Sequence, residues 1–353
     1  MGRAKQLKEI FATSFDDSPE WQKWFFGTVA TDDDQAVLVH DAGGRPVSGL
    51  LMQPYAFDYC GRELASEYLS CVATRPEARG KGKATELMLK ALRTAKEKGT
   101  VLAELIPASR ELFFFYARSG FSGVFYIAEE RYTAVHPFAG ADYTETEPDF
   151  DTLHALELAT PNCVLHSAEN YAAILADLAM ESGRQTISVL TPDGAKAILF
   201  ATYNTTKTDS GVLVRSLLAE NQDAATAALA ALRRRVGERP LTVWRPAARQ
   251  PRARLRARGM VRIVDPHRFL GALAASHPHL RSIIVLTDRE LPENSGTYTL
   301  ADGACTYSAV RPDRRADLNV DPATLAAILF SHPEAGAIFD LPTARPYMAM
   351  MLD

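Results

Sequence analysis

Between residues 66 and 107 the sequence changes its apolar period twice, and this limits what the chain can fold into more than any other feature. SEYLSCVAT (66–74) reads as a strand that ends at Arg75-Pro76, and a turn containing Gly80 and Gly82 follows. Ala84, Leu87, Met88, Ala91, Leu92 and Ala95 then recur at i, i+3, i+4 and i+7, the pattern of an amphipathic helix, which Gly99 closes. VLAELIP (101–107) returns at once to a strand. A glycine turn between a strand and a helix leaves the first helical N–H groups without a partner inside the helix.

The flanking sequence extends this unit on both sides. Leu7, Ile10, Phe11 and Phe15 predict a first helix, and Trp21, Trp24 and Phe25 lie on a second. AVLVH (36–40) and VSGLLMQPY (47–55) predict a hairpin turning at Gly43-Gly44. After the central unit come a helix from about Ser109 to Ser119, a turn at Gly120 and a strand pair near Phe121 to Thr133, with 136–143 as linker. From about 146 to 265 the order repeats with different residues: SGVLVRSLLA (210–219), an alanine-rich helix over 224–236, and PLTVWRP (240–246). LRARGM (255–260) parallels YARSGF (116–121), which sets Leu255 opposite Tyr116 and Gly259 opposite Gly120. From about 266 a third segment begins with a short helix and continues with strands IIVLTD, GTYTL and CTYSAV. A strand then runs into a helix over 317–330, with Asp321 as N-cap and Pro322 at the first helical position.

The turn RPEARGKGKA (75–84) is where the residues point to chemistry. Arg79, Lys81 and Lys83 surround the glycines at the positive end of a helix dipole, an arrangement that holds a pyrophosphate on main-chain amides. Matched to Arg/Gln-x-x-Gly-x-Gly/Ala, the stretch resembles the acyl-CoA signature of the GNAT acetyltransferase superfamily. FFFYARSGF (113–121) resembles that superfamily's second motif. The resemblance implies that Val72, Ala73 and Thr74 meet the pantetheine arm, and that Arg79, Gly80, Lys81, Gly82, Lys83, Ala84 and Thr85 hold the pyrophosphate. Ser109 is implied as a further cofactor contact. It implies Tyr116 as the general acid that protonates the departing thiolate, which a phenol of ordinary pKa near 10 can do.

The whole chain is similar to the enhanced-intracellular-survival (Eis) acetyltransferases. That similarity implies an α+β architecture: tandem GNAT-like α/β domains with mixed, mostly antiparallel sheets, then a small sterol-carrier-protein-like α+β domain. The expected boundaries are 1–140 for the catalytic domain, 141–265 for a degenerate copy and 266–353 for the last domain, whose tail returns to the active site. The copy has ENQD (220–223) in place of the glycine loop and Leu255 in place of the phenol, so it reads as scaffold. In that family a C-terminal carboxylate serves as general base, which implies Asp353; members ending in an aromatic residue make simple packing of RPYMAMMLD an equal alternative. Trp21, Trp24 and Phe25 fall where the family's acceptor cleft is lined, with Asp16, Asp17 and Glu20 nearby to attract a cation.

Composition narrows the partners. The 353 residues are 47% hydrophobic and 23% charged with a net charge of −4, which lacks the basic excess of a nucleic-acid binder. The arginines at 245, 249, 252, 254, 256 and 258 have no interleaved aromatics and read as a solvated or interdomain face. Four scattered cysteines and dispersed histidines predict neither a disulfide framework nor a metal site. No apolar run reaches membrane-spanning length and the N-terminus has no signal core, so a cytoplasmic protein with no membrane partner is expected. The expected reaction moves acetyl from acetyl-CoA to a primary amine of a small molecule or a lysine-bearing acceptor, without metal, in a chain that permits a homo-oligomer. A non-catalytic acyl-CoA sensor or scaffold, and a lipid-binding role for the last segment, stay open as alternatives.

Overall fold

The computed structural model describes residues 2–139, 142–207, 210–249, 254–312, 315–330 and 345–352. The chain divides into two compact units: residues 1–124 with 259–343 and Asp353, and residues 125–258 with 344–352.

The first unit opens with helices α1 (Arg3–Phe11) and α2 (Pro19–Trp24), the latter capped by the Ser18 hydroxyl, which accepts from the Trp21 amide. Strands β1 (Ala36–His40), β2 (Pro46–Tyr59) and β3 (Arg62–Thr74) form an antiparallel meander. Helix α3 (Lys83–Glu97) then crosses to β4 (Leu102–Leu105), which runs parallel to β3. Of the predicted stripe, Leu87, Met88, Ala91, Leu92 and Ala95 are fully buried, while Ala84 at the helix start is half-buried. Each large aliphatic side chain buried there contributes about 2 kcal/mol. Helix α4 (Arg110–Ala117) packs Tyr116 into the same core.

Beyond α4 the chain contains one strand, β5 (Ser122–Tyr132), where a strand pair is expected from the sequence. Over residues 127–132 it pairs antiparallel with a strand far downstream in the second unit. That unit comprises β6 (Thr144–Thr146), α5 (Phe150–Leu158), β7 (Val164–Leu165), α6 (Ala168–Met180), β8 (Gln185–Leu190), β9 (Lys196–Tyr203), β10 (Val212–Ala219), α7 (Gln222–Val236) and β11 (Leu241–Pro246). As in the first unit, the strand before the long helix is antiparallel to its predecessor and parallel to its successor: β10 lies between β9 and β11. An alanine face of α7 closes on these strands, with Ala224, Ala227, Ala228 and Ala231 fully buried.

Strand β12 (Arg254–Ile263) leaves the second unit and pairs its last four residues, Met260 to Ile263, antiparallel with β4. Each ladder is therefore joined by a strand from a distant stretch of the sequence. This overturns the expected match of LRARGM with YARSGF: Tyr116 is on a helix and Leu255 on a strand, so β12 corresponds to β5, not α4. Helix α8 (Pro266–Ser276) leads into a four-stranded sheet in the order β15 (Ala304–Ser308), β14 (Gly296–Ala301), β13 (Ser282–Leu286), β16 (Leu318–Val320). Helix α9 (Pro322–Phe330) follows with Asp321 accepting from the Thr324 amide, as a cap at that position requires. Phe330 meets Phe57 and Phe269 at ring-centroid distances of 5.8 and 5.2 Å, which fastens this segment to the β2–β3 hairpin. No helix among the described residues is long and apolar enough to cross a membrane.

Candidate active site

The site begins at an irregularity in β3. Gly49 pairs with Ala73 and Leu51 with Ser70, so three steps on β3 oppose two on β2, and Cys71 takes a positive φ of 54°. Such a bulge bends its strand and re-aims the backbone groups beyond it. Strand β4 accompanies β3 only from Ser66↔Leu102 to Tyr68↔Glu104 and ends at Leu105, while β3 continues to Thr74. Along Val72, Ala73 and Thr74 the flank towards β4 has no strand partner among the described residues, which suits an extended amide-bearing arm laid alongside. Ser48 braces this stretch from the other side, bonding the Ala73 carbonyl at 2.9 Å and the Thr74 hydroxyl at 2.7 Å.

The loop beyond Arg75 makes a short 3-10 turn over Pro76–Ala78 and then an exposed bend. Gly80 and Gly82 have φ of 73° and 75°, and a Cβ at either would meet nothing within 4 Å. The glycines are therefore required by backbone conformation and not by crowding. Gly82 is also the N-cap of α3 and has no side chain to bond the first turn, so the amides of Lys83, Ala84 and Thr85 stay available. Arg79 Nε donates to the Thr74 carbonyl at 3.0 Å, and Lys81 Nζ to the Glu77 carbonyl at 2.8 Å. Lys83 Nζ bonds Glu86 at 2.9 Å. Three cations thus neighbour an uncapped helix start, with the Glu86 carboxylate and the His40 carbonyl as Lys83's own partners, and the charge and first-turn amides suit a pyrophosphate.

Tyr116 is 5% exposed, edge-on to Phe115 at 5.0 Å and to Phe121 at 6.1 Å. Burial pushes its phenol up to about 12, so it holds its proton through the neutral range. The turn behind it depends on Gly120, whose φ is 80° and whose Cβ would lie 2.9 Å from Arg262 Nε. Arg262 is fully buried and donates to Asp288 Oδ2 at 2.6 Å; Asn294 donates to the same oxygen at 2.9 Å. Ser109 is the N-cap residue of α4 and makes no side-chain capping bond. Trp21 and Trp24 are half-buried, whereas Phe25 is 1% exposed and stacked on Trp21 at 4.6 Å, a core position. Asp353 lies outside the described residues.

One carboxylate here escaped the sequence reading. Glu104, the lone charge in VLAELIP, is fully buried on β4, and burial lifts it to about 8 against a smaller opposing effect of the Ser66 hydroxyl. Its signal was available, since an acid in the middle of an apolar strand run needs a partner or a function.

The corresponding helix start of the second unit is built differently. Asn221 caps α7 with its own side chain, accepting from the Ala224 amide at 2.8 Å, so an anion there would compete with a built-in acceptor. Of the arginine group, Arg245 pairs with Glu130 at 3.6 Å and Arg256 with Glu129 at 3.5 Å, while Arg256 and Arg258 lie over the Trp244 ring. Among the described residues no group of three His, Cys, Asp or Glu could hold a metal ion.

A bulged strand that outruns its partner, a glycine turn at a helix start and a buried phenol thus belong to one unit. Residues 2–124 match the acetyltransferase (GNAT) domain. The GNAT match supports acyl transfer as the chemistry of this unit. No curated protein matches the chain by sequence. Among solved structures, a GCN5-related N-acetyltransferase from Kribbella flavida superposes with a TM-score of 0.74 at 18% identity, covering 99% of this chain and 96% of that one. Eis1 from Mycobacterium abscessus gives 0.71 at 16% identity, over 98% and 96% of the two chains. A GCN5-related N-acetyltransferase from Anabaena variabilis gives 0.71 at 15%, over 92% and 86%. The fold is a mixed α/β GNAT-like one.

Proposed function

We propose that the chain transfers acetyl from acetyl-CoA to a primary amine by direct attack within a ternary complex. The observation that carries this reading is the uncapped start of α3, where Gly80 and Gly82 present a cationic anion cradle at the end of a strand with one open flank. In this scheme Val72 to Thr74 receive the pantetheine amides, and residues 79 to 85 the pyrophosphate, with Ser109 a further contact. A carboxylate of Asp353 takes a proton from the acceptor ammonium, because a protonated amine has no lone pair for attack. As the amine bonds to the acyl carbon and the C–S bond breaks, Tyr116 gives its proton to the departing thiolate, and the second proton shed by the nitrogen restores the phenol through solvent. The products are an amide and a free thiol. Trp21, Trp24 and Phe25 would line or support the acceptor side, Phe25 from within the core.

The division into a catalytic domain (1–140), a degenerate copy (141–265) and a sterol-carrier-like domain (266–353) belongs to the same proposal, the last resting on the sheet of β13 to β16 with α8 and α9. The acceptor is a small-molecule amine or a lysine side chain, and a cytoplasmic homo-oligomer is the assembly we propose. The test is thiol release from acetyl-CoA with polyamines, aminoglycosides and lysine peptides. Release with at least one class is expected. Tight acetyl-CoA binding with no release across the panel would overturn catalysis in favour of a sensor.

A further inference from the structure

The described end of the chain is held by a buried pair that the reaction scheme does not use. Glu157 on α5 and His166, just after β7, are 2% and 4% exposed. Glu157 Oε1 lies 2.5 Å from His166 Nδ1, and its Oε2 accepts from the His166 amide at 3.0 Å. The other ring nitrogen, Nε2, lies 3.2 Å from the carbonyl oxygen of Met350. A carbonyl oxygen only accepts, so Nε2 must carry hydrogen. An ionised Glu157 also only accepts, so Nδ1 must carry one too. The arrangement thus contains one proton beyond a neutral imidazole beside a carboxylate, whichever of the two holds it.

The same segment is tied at Tyr347. Its amide donates to the Asn162 carbonyl at 2.9 Å, its carbonyl accepts from the Val164 amide at 3.0 Å, and its hydroxyl meets Ser216 Oγ at 2.9 Å. Met350 bends the chain with a φ of 57°, and Met348, Met351 and Leu352 are buried. We propose that His166 and Glu157 are positioning residues that form a proton-dependent latch on the segment 345–352, which directly precedes Asp353 in sequence. The link to turnover rests on the reading of Asp353 as base; the latch itself does not.

Loss of the shared proton leaves Glu157 anionic and the ring with a single N–H. Either the Glu157 bond or the Met350 bond must then open. Burial opposes charge on the ring, but Glu157 and the Met350 carbonyl together hold its pKa above the ordinary histidine value. The latch is therefore complete below the unfolded histidine pKa and is lost as pH rises through the raised folded value. Among the described residues, the Tyr347 phenol near the pair is lifted by burial and lowered by Ser216 and the charge of Arg258, and the Cys163 thiol, which also acts on that phenol, is 3.2 Å from the Val164 carbonyl. The tyrosine stays neutral over the range in question.

Hydrogen–deuterium exchange of the full chain, read peptide by peptide from roughly pH 6 to roughly pH 10 and corrected for intrinsic exchange, tests this without any variant. Protection of 345–352 is expected to fall along one titration curve that peptides of α6 and α7 do not share. In His166→Gln the same protection should be at least about tenfold lower and flat with pH, with kcat reduced and KM for acetyl-CoA unchanged. Glu157→Gln should also flatten the curve. Tail protection that stays level with pH in the unmodified protein, or that survives in both variants, would overturn the latch. If the unmodified protein releases no thiol with any amine, the acyl-transfer reading fails while the exchange result still decides the latch.

Discussion

Tyr116 keeps its hydroxyl proton because its surroundings are apolar rings, and this determines what it can do. In the proposed scheme, a phenol near 12 would donate its proton only as negative charge grows on the leaving group. Tyr116→Phe should lower turnover by about a hundredfold, with acetyl-CoA affinity by calorimetry nearly intact; equal turnover in the two proteins would remove the phenol from the scheme. Glu104 makes a separate prediction about stability. Its folded pKa, about 8, lies above the ordinary carboxylate value, so its contribution is intact in acid and is lost as pH rises through that range. Glu104→Gln should therefore gain thermal stability relative to the unmodified protein as pH is raised from about 5 to about 8, and a gap independent of pH would refute the burial argument. Both residues stand in plain sight in the sequence, yet only Tyr116 has a neighbouring motif to give it meaning. The burial of Phe25 behind Trp21, by contrast, follows from how two helices pack and has no local sign.

Helices α3 and α7 occupy equivalent places in their units and differ at the cap. Asn221→Ala should cost about 1 kcal/mol in chemical denaturation, the usual worth of a capping side chain, and leave acetyl-CoA affinity unchanged. Gly82→Ala, at a φ of 75°, should cost about 1 kcal/mol of backbone strain and weaken acetyl-CoA binding roughly tenfold as the first-turn amides turn away. Binding as tight as before would mean that those amides do not hold the cofactor. Elements of this kind were readable because their apolar stripes and turn residues are local: the α3 stripe, the β10–α7–β11 order and the Asp321 cap all stand where expected. The match between 255–260 and 116–121 misled for the same reason. A glycine four residues after an apolar residue is compatible with a helix end or with a strand, and only pairing with distant Leu105 to Leu102 selects the strand.

At the level of the whole chain, β4 and β11 each take a pairing partner from a distant stretch of sequence, β12 and β5 respectively. A fragment ending near residue 140 would contain β4 without Met260 to Ile263 alongside it, leaving its backbone groups on that side unpaired. Such a fragment should be aggregation-prone, by light scattering, and should lose the exchange protection of residues 102–105; a soluble monomer with β4 protected would show that the borrowed strand is dispensable. No local pattern announces these pairings, since 255–260 resembles a helix end, 121–133 reads as a strand pair, and the partners β4 and β11 lie more than a hundred residues away in sequence. They have a consequence during synthesis. At about 5–20 residues per second, the ribosome needs on the order of ten seconds to travel from β4 to β12, and throughout that time the nascent first ladder has a raw edge that a chaperone, or another nascent chain, can occupy.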